Sequence, residues 1–233
     1  FELTSAQSES SYARSVRADG ENISAARSNF MVEHKLITGL DYTTQFFGNN
    51  DTRFSLVYVA KSGEPYSVTF DGYDDAFSND RTDGGYDAAY IPTGASDPNV
   101  VFASSSVADT VMAHVNGSGL AGYKGQIVPR NAFNSPWIRT LDLRITQDIN
   151  IANDHKVIVY LDVTNLLNLI DDEDGIIREY SNRSRQIILD EDNPYDSQGR
   201  YNIVGVDPDD GLFVQNRNGQ SSYQWNLGFK YQF

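Results

Sequence analysis

The stretch that decides the fold is Tyr223-Gln224-Trp225-Asn226-Leu227-Gly228-Phe229-Lys230-Tyr231-Gln232-Phe233. Every odd position carries a large apolar or aromatic side chain, and every even position a polar residue or glycine. In a chain that is 39% hydrophobic, that arrangement arises by chance in about one window in 3,000, so a period of two outweighs a helical period. At ~3.3 Å rise per residue and ~40° tilt the segment climbs about 28 Å, close to the ~25 Å apolar band of an outer-membrane barrel. Tyr223 and Trp225 then mark one membrane interface, and Tyr231 and Phe233 the other. The competing reading is an edge strand of a soluble sandwich, in which so broad an apolar face would be hard to cover.

The same alternation recurs upstream. Across residues 137–151, Leu141, Leu143, Ile145, Ile149 and Ile151 fall on one face, opposite Asp142, Arg144, Thr146, Asp148 and Asn150. After Asn153-Asp154-His155, a segment over 156–168 returns with Val157, Val159, Leu161 and Val163 in register with each other. Leu36, Leu40, Tyr42 and Phe46 define a strand over 33–47, and Phe54, Leu56, Tyr58 and Ala60 one over 52–70, joined at Gly48-Asn49-Asn50-Asp51. A sixth, poorly patterned strand is expected over 1–10. The expected fold is therefore an all-β, antiparallel transmembrane barrel, of which this chain gives about six strands.

Composition agrees by exclusion. No stretch approaches the ~20 apolar residues of a membrane helix, and the negative mean hydropathy is what alternating barrel strands average to. There are no cysteines, hence no thiolate metal site and no disulfide framework. A net charge of −14 argues against nucleic acid as a partner. The first residues, Phe1-Glu2-Leu3-Thr4, read as mid-strand, which suggests a piece of a longer protein.

Connections alternate in length: 48–51 and 152–155 are short, while 11–32, 71–136 and 169–222 are long. In bacterial barrels short turns are periplasmic and long loops extracellular, which sets the carboxy terminus in the periplasm and the acidic loops outside. Helix is expected in the loops only locally, near Ala103 to Met112. Six strands are fewer than the 8 of the smallest bacterial barrels, and an open edge in lipid strands backbone polar groups, so further strands must complete the wall.

The run Asn134-Ser135-Pro136-Trp137-Ile138-Arg139-Thr140-Leu141-Asp142-Leu143-Arg144, with Gln147-Asp148-Ile149, resembles the penultimate region of TonB-dependent outer-membrane receptors. So does Leu161-Asp162-Val163-Thr164-Asn165-Leu166-Leu167-Asn168. Ser62-Gly63-Glu64-Pro65-Tyr66-Ser67 and Tyr123-Lys124-Gly125-Gln126-Ile127 with Arg130-Asn131 are similar to the Oar-like subgroup. The resemblance covers most strand segments and none of the loops. It implies a barrel of about 22 strands with an N-terminal plug and a TonB box, neither of which this sequence contains. The implied partners are outer-membrane lipid, the remaining strands and plug of the same receptor, TonB, the insertion machinery and, as a further candidate, a surface lipoprotein. Tyr231 and Phe233 would then belong to the terminal signal read by the insertion machinery.

Candidate sites are few. His34, His114 and His155 lack ligand spacing, no Gly-x-Ser-x-Gly elbow occurs, and no catalytic constellation or cofactor motif is found, so no enzyme is expected. Asp71, Asp74, Asp75, Asp80 and Asp83, with Asp87, could supply oxygens to calcium, although the EF-hand spacing is missing and a solvated acidic surface explains them more simply. Further acidic runs are Asp171-Asp172-Glu173-Asp174, Asp190-Glu191-Asp192 and Asp207-Asp209-Asp210. Asp142, Arg144, Asp162 and Lys230 are expected to face the lumen as a wall network. The aromatics Tyr73, Phe77, Tyr86 and Tyr90 could grip a ligand, although loop packing is the simpler role for them.

The function expected from sequence is outer-membrane active transport, as wall and external loops of a receptor for a large nutrient. A passive pore or adhesion scaffold without TonB coupling is the runner-up, and a soluble β-sandwich lectin or adhesin the third reading.

Overall fold

The computed structural model describes residues 16, 25–71, 87–152, 155–181, 183–214 and 219–233. In chain order the strands are β1 (Lys35–Phe47), β2 (Asn50–Lys61), β3 (Pro65–Asp71), β4 (Val100–Phe102), β5 (Phe133–Asn134), β6 (Ile138–Ala152), β7 (His155–Thr164), β8 (Arg178–Tyr180), β9 (Arg183–Leu189), β10 (Tyr201–Val206), β11 (Leu212–Val214) and β12 (Gln224–Gln232). Two α-helices accompany them, α1 (Ser105–Gly117) and α2 (Leu166–Ile170), with a 3-10 turn at Gly119–Tyr123. The protein is mainly β, and among the described residues no helix is long and apolar enough to cross a membrane.

Contacts divide the chain into two compact units. One comprises residues 32–63, 136–179 and 214–233. Its centre is an antiparallel five-stranded sheet in the order β1-β2-β6-β7-β12. The turn between β1 and β2 is only Gly48-Asn49, because Phe47 pairs directly with Asn50. Gly48 takes φ +63°, which a side chain would resist and which a two-residue hairpin needs at that place. The paired ends Phe47–Asn50 and Ala152–His155 lie at one end of this sheet together with Gln232, which pairs with Lys156. Among the described residues the long connections leave from the other end. Among the described residues β1 and β12 are each paired on one side only, so the sheet is open.

Expected and observed strands differ at two ends. The strand expected over 52–70 is two strands, because the ladder stops at Lys61. Ser62 is buried and its hydroxyl accepts the Glu33 and His34 amides at 3.0 and 3.1 Å. Pro65, without an N–H, opens β3, which joins a different sheet. The strand expected to reach residue 168 ends at Thr164. There Asn165 adopts a left-handed conformation (φ +54°) and turns the chain into α2. The strand expected over 1–10 lies outside the described residues, as does most of the connection over 11–32.

The second unit comprises residues 1–31, 64–135 and 180–213, so the long connections are more than bare loops. Its mixed sheet runs β4-β10-β9-β3-β5, with β3 parallel to β9 and β4 parallel to β10. Helix α1 packs against β10 and β4. Ser104 caps it by accepting the Val107 amide at 3.2 Å, and Ala108, Val111 and Val115 form its buried stripe at helical spacing. The core gathers Val68, Phe70, Ile91, Val111, Val115, Leu120, Val128, Ile187, Leu189 and Ile203.

Candidate functional site

The register fixes which side chains share a face of the β1-β2-β6-β7-β12 sheet. Arg144 pairs with Asp162, Asp162 with Asn226, and Val57 with Asp142, so Asp142, Arg144, Asp162 and Lys230 all lie on one face. Arg144 grips Asp162 through two hydrogen bonds of 2.6 and 2.8 Å and lies 5.2 Å from the centre of the Tyr160 ring. Lys156 pairs with Asp148 at 2.5 Å, and Asp41 accepts the Ser55 hydroxyl. Asp142 is engaged differently: its carboxylate accepts the Asn165 amide at 2.8 Å and so pins the strand exit.

The opposite face carries Leu36, Leu40, Tyr42, Phe54, Leu56, Leu141, Leu143, Ile145, Val157, Val159, Leu161, Trp225, Leu227, Phe229 and Tyr231 in cross-strand rows. Many of these residues stand exposed, Leu36, Leu40, Tyr42, Trp225, Leu227 and Phe229 among them. Soluble proteins rarely leave so large an apolar patch open. Gln147 interrupts the rows without cost, because it accepts the Thr52 hydroxyl at 2.5 Å and donates to the Asp148 carbonyl at 2.7 Å. His155 likewise bonds the Tyr231 hydroxyl at 2.6 Å and stacks on its ring. Phe233, the other member of the expected terminal signal, is 94% exposed. Arg139 also belongs to this face, opposite Ala60. Sequence reading passed over it, although counting back two residues from Leu141 would have put it there.

In the second unit the acidic and aromatic candidates that are described, Asp71 and Tyr90, have structural duties. Asp71 pairs with Arg185 at 3.2 Å, and Asp210 holds the Arg185 guanidinium at 3.2 Å and its amide at 2.6 Å. Asp74, Asp75, Asp80, Asp83, Tyr73, Phe77 and Tyr86 lie outside the described residues. Tyr90 is a core residue rather than a loop-tip aromatic: it stacks on Tyr201 at 5.4 Å, and its hydroxyl donates to Asp97. Tyr66 stacks on Tyr180 at 4.1 Å; burial, reinforced by Tyr180 and opposed by a Gln186 hydrogen bond, pushes its phenol up to about 12. His114 is 3.0 Å from the Gln186 amide oxygen. Among the described residues no group of three His, Asp or Glu could hold a metal.

Asp97 shows what the carboxylates of this unit do. Burial raises its pKa, but the Thr93 and Asn99 amides at 2.6 and 2.8 Å, with the Thr93 and Tyr90 hydroxyls, more than reverse that and hold the carboxyl below its ordinary value. Asp190 and Asp196 close turns in the same way, each accepting backbone amides two to four residues on.

A second hub, Asn131, was named in the sequence only as part of a resemblance. It is fully buried with φ +57°, and it bonds Ser67 as well as the Arg27 carbonyl and Asn29 side chain, both at 2.6 Å. Arg27 answers by donating to Asn134 at 2.7 Å. Residues from two long connections are thereby tied into one body. No family model, curated protein or solved structure matches the chain.

Proposed function

We propose that this chain forms part of the wall and the external connections of a TonB-dependent outer-membrane transporter for a large nutrient. The observation that carries the reading is the sheet with one exposed face of apolar rows, one face of paired charges, and open strands on both sides. A face of that kind needs lipid or protein to cover it. The open edges need further strands, which the rest of a barrel would provide. Separation of short turns and long connections to opposite ends supports the orientation with the carboxy terminus in the periplasm. The resemblance of residues 134–149 and 161–168 supports the family, and with it TonB coupling and the role of Tyr231 and Phe233 in assembly. On this reading Asp142, Arg144, Asp162 and Lys230 face the lumen.

Single-cysteine labelling with a membrane-impermeant reagent tests the wall. Positions 142, 144 and 162 should label in the assembled protein, and 143, 145 and 161 should not. Labelling of the second set with the first protected would reverse the assignment. Substrate accumulation in cells lacking TonB tests the coupling: binding should persist while uptake stops. Undiminished uptake there would leave a passive pore.

A further inference from the structure

We propose that Gly228 is the register key of the last strand: the Tyr160 ring laid over it selects one alignment of β12 on β7 among those that strand alternation leaves equivalent.

The ambiguity lies in the sequence of β12 itself. A slip of one residue would turn every side chain to the wrong face, but a slip of two keeps both faces intact. Tyr223, Trp225, Leu227, Phe229, Tyr231 and Phe233 are all large and apolar or aromatic, so a slip of two exchanges one such side chain for another. Gln224, Asn226, Lys230 and Gln232 are likewise all polar. Sliding one way sets Lys230 opposite Lys156, a like-charge pair that opposes that direction. Sliding the other way meets no such penalty. Among the described residues β12 has β7 as its one neighbour, so the choice is made there.

Gly228 breaks the equivalence. It pairs with Tyr160, and a methyl group on it would collide with Cζ and Oη of that ring and stand 3.0 Å from Cε1. The ring thus fills the space that a side chain at 228 would take. Gly228 is accordingly half-buried, while every other residue of Gln224–Gln232 is exposed. A slip of two would bring Asn226 or Lys230 opposite Tyr160 and drive a side chain into the place of the ring. The ring is itself held: the Arg144 guanidinium lies 5.2 Å from its centre, and Asp162 fixes that guanidinium at 2.6 and 2.8 Å. Arg144, Tyr160 and Gly228 so link β6, β7 and β12 on the polar face. Gly39 in β1 shows that a strand glycine is not a key by itself. The Leu56 carbonyl oxygen, 3.9 Å from where its Cβ would stand, is the nearest described atom, and no ring covers it. The Tyr231 hydroxyl, bonded to His155, supports the same register from the end of the strand. The inference is independent of whether lipid or protein covers the apolar face.

Thiol cross-linking in the full-length protein reads the register directly. Thr164→Cys is combined in turn with Gln224→Cys, its partner, and with Ser222→Cys or Asn226→Cys, its partners after a slip of two either way. Direct cross-strand neighbours lie about 5 Å apart and diagonal ones about 7–8 Å, so a short bifunctional reagent such as dibromobimane favours the direct pair. In the parent the 164–224 product should exceed each of the others about tenfold or more. Gly228→Asn should raise a slipped product several-fold, and so should Tyr160→Thr, which removes the ring without adding bulk at 228. Tyr160→Phe keeps the ring and should leave the pattern unchanged. An antiparallel pair is locally symmetric, so exchanging the two residues, Tyr160→Gly with Gly228→Tyr, should bring the parental pattern back. Comparable products in the parent, or a parental pattern in either Gly228→Asn or Tyr160→Thr, overturns the key. If neither of those variants accumulates, the exchanged pair decides: accumulation with the 164–224 product supports the key, and failure to accumulate overturns it.

Discussion

Ile187, Leu189 and Ile203 in the mixed sheet are 0% exposed, whereas Leu40, Leu227 and Phe229 in the antiparallel sheet are 63%, 67% and 78% exposed. Both sheets have five strands, and both are rich in large apolar side chains. The difference lies in what covers them. In the mixed sheet α1, the 3-10 turn and the segment around Ile91 and Val128 close over the strands, so β3 is buried on both faces. In the antiparallel sheet the large apolar side chains gather mainly on one face, and no described element covers those rows. One unit closes over its own core; in the other the described residues leave one apolar face uncovered.

The contrast fails if the buried side chains of the mixed sheet prove dispensable. Ile187→Ala removes three carbons from a site with no exposed surface and should cost about 2–5 kcal/mol, because the neighbours relax only partly into the space. Leu227→Ala, at an exposed position of β12, should cost far less in detergent. Thermal unfolding of the two variants followed by near-ultraviolet dichroism reads the difference. Equal losses would mean that the apolar face of the antiparallel sheet is covered by protein.

Depth dependence sharpens the same point. Ile145 lies near the middle of the apolar rows, level with Phe54, Leu161 and Leu227, while Ile151 lies at the short-turn end. If lipid covers this face, Ile145→Arg should cost about 2–4 kcal/mol and Ile151→Arg about 0–1, since the penalty tracks membrane depth. Urea unfolding in lipid vesicles measures both. A penalty that follows side-chain burial rather than position along the strand would favour a protein cover.

The antiparallel sheet was legible in the sequence because its signal is local. Alternation over ten or more residues, as in Tyr223–Phe233 or Leu141–Ile151, fixes both strand and face without knowledge of the neighbours. The mixed sheet was hidden for the opposite reason. Strand β3 is buried on both faces, so Pro65–Asp71 shows no usable period; β9 runs Arg183-Ser184-Arg185-Gln186 before Ile187-Ile188-Leu189 and shows none either, and their parallel pairing joins segments more than a hundred residues apart. Aspartates that close turns, such as Asp97 and Asp196, cannot be told from solvated acids by composition. Asn131 had no sequence signal beyond its place next to Arg130, since its hydrogen bonds reach residues near 27, 29 and 67. Arg139 was legible in parity and was missed.

The smallest effect separates the units by pH. Asp97 has a folded pKa below its unfolded value of about 3.9, so its contribution to stability is complete above that value. As pH falls through 3.9 toward the folded pKa, the unfolded chain takes up the proton first and the contribution is lost. Asp97→Asn keeps an oxygen acceptor for only one of the Thr93 and Asn99 amides, which bond different carboxylate oxygens, and gives up the charge, and should cost about 1–2 kcal/mol at neutral pH. Below the folded pKa the parent has lost its advantage as well, so the two proteins should converge in acid. The carboxylates of the antiparallel sheet are common to both proteins and cancel in the difference. Melting temperatures of the mixed-sheet unit measured from pH 7 downward should therefore show a gap between parent and Asp97→Asn that is constant to about pH 4 and closes below it. A gap that stays constant into acid would mean that the shape of the side chain, and not its charge, closes the loop from Thr93 to Asn99.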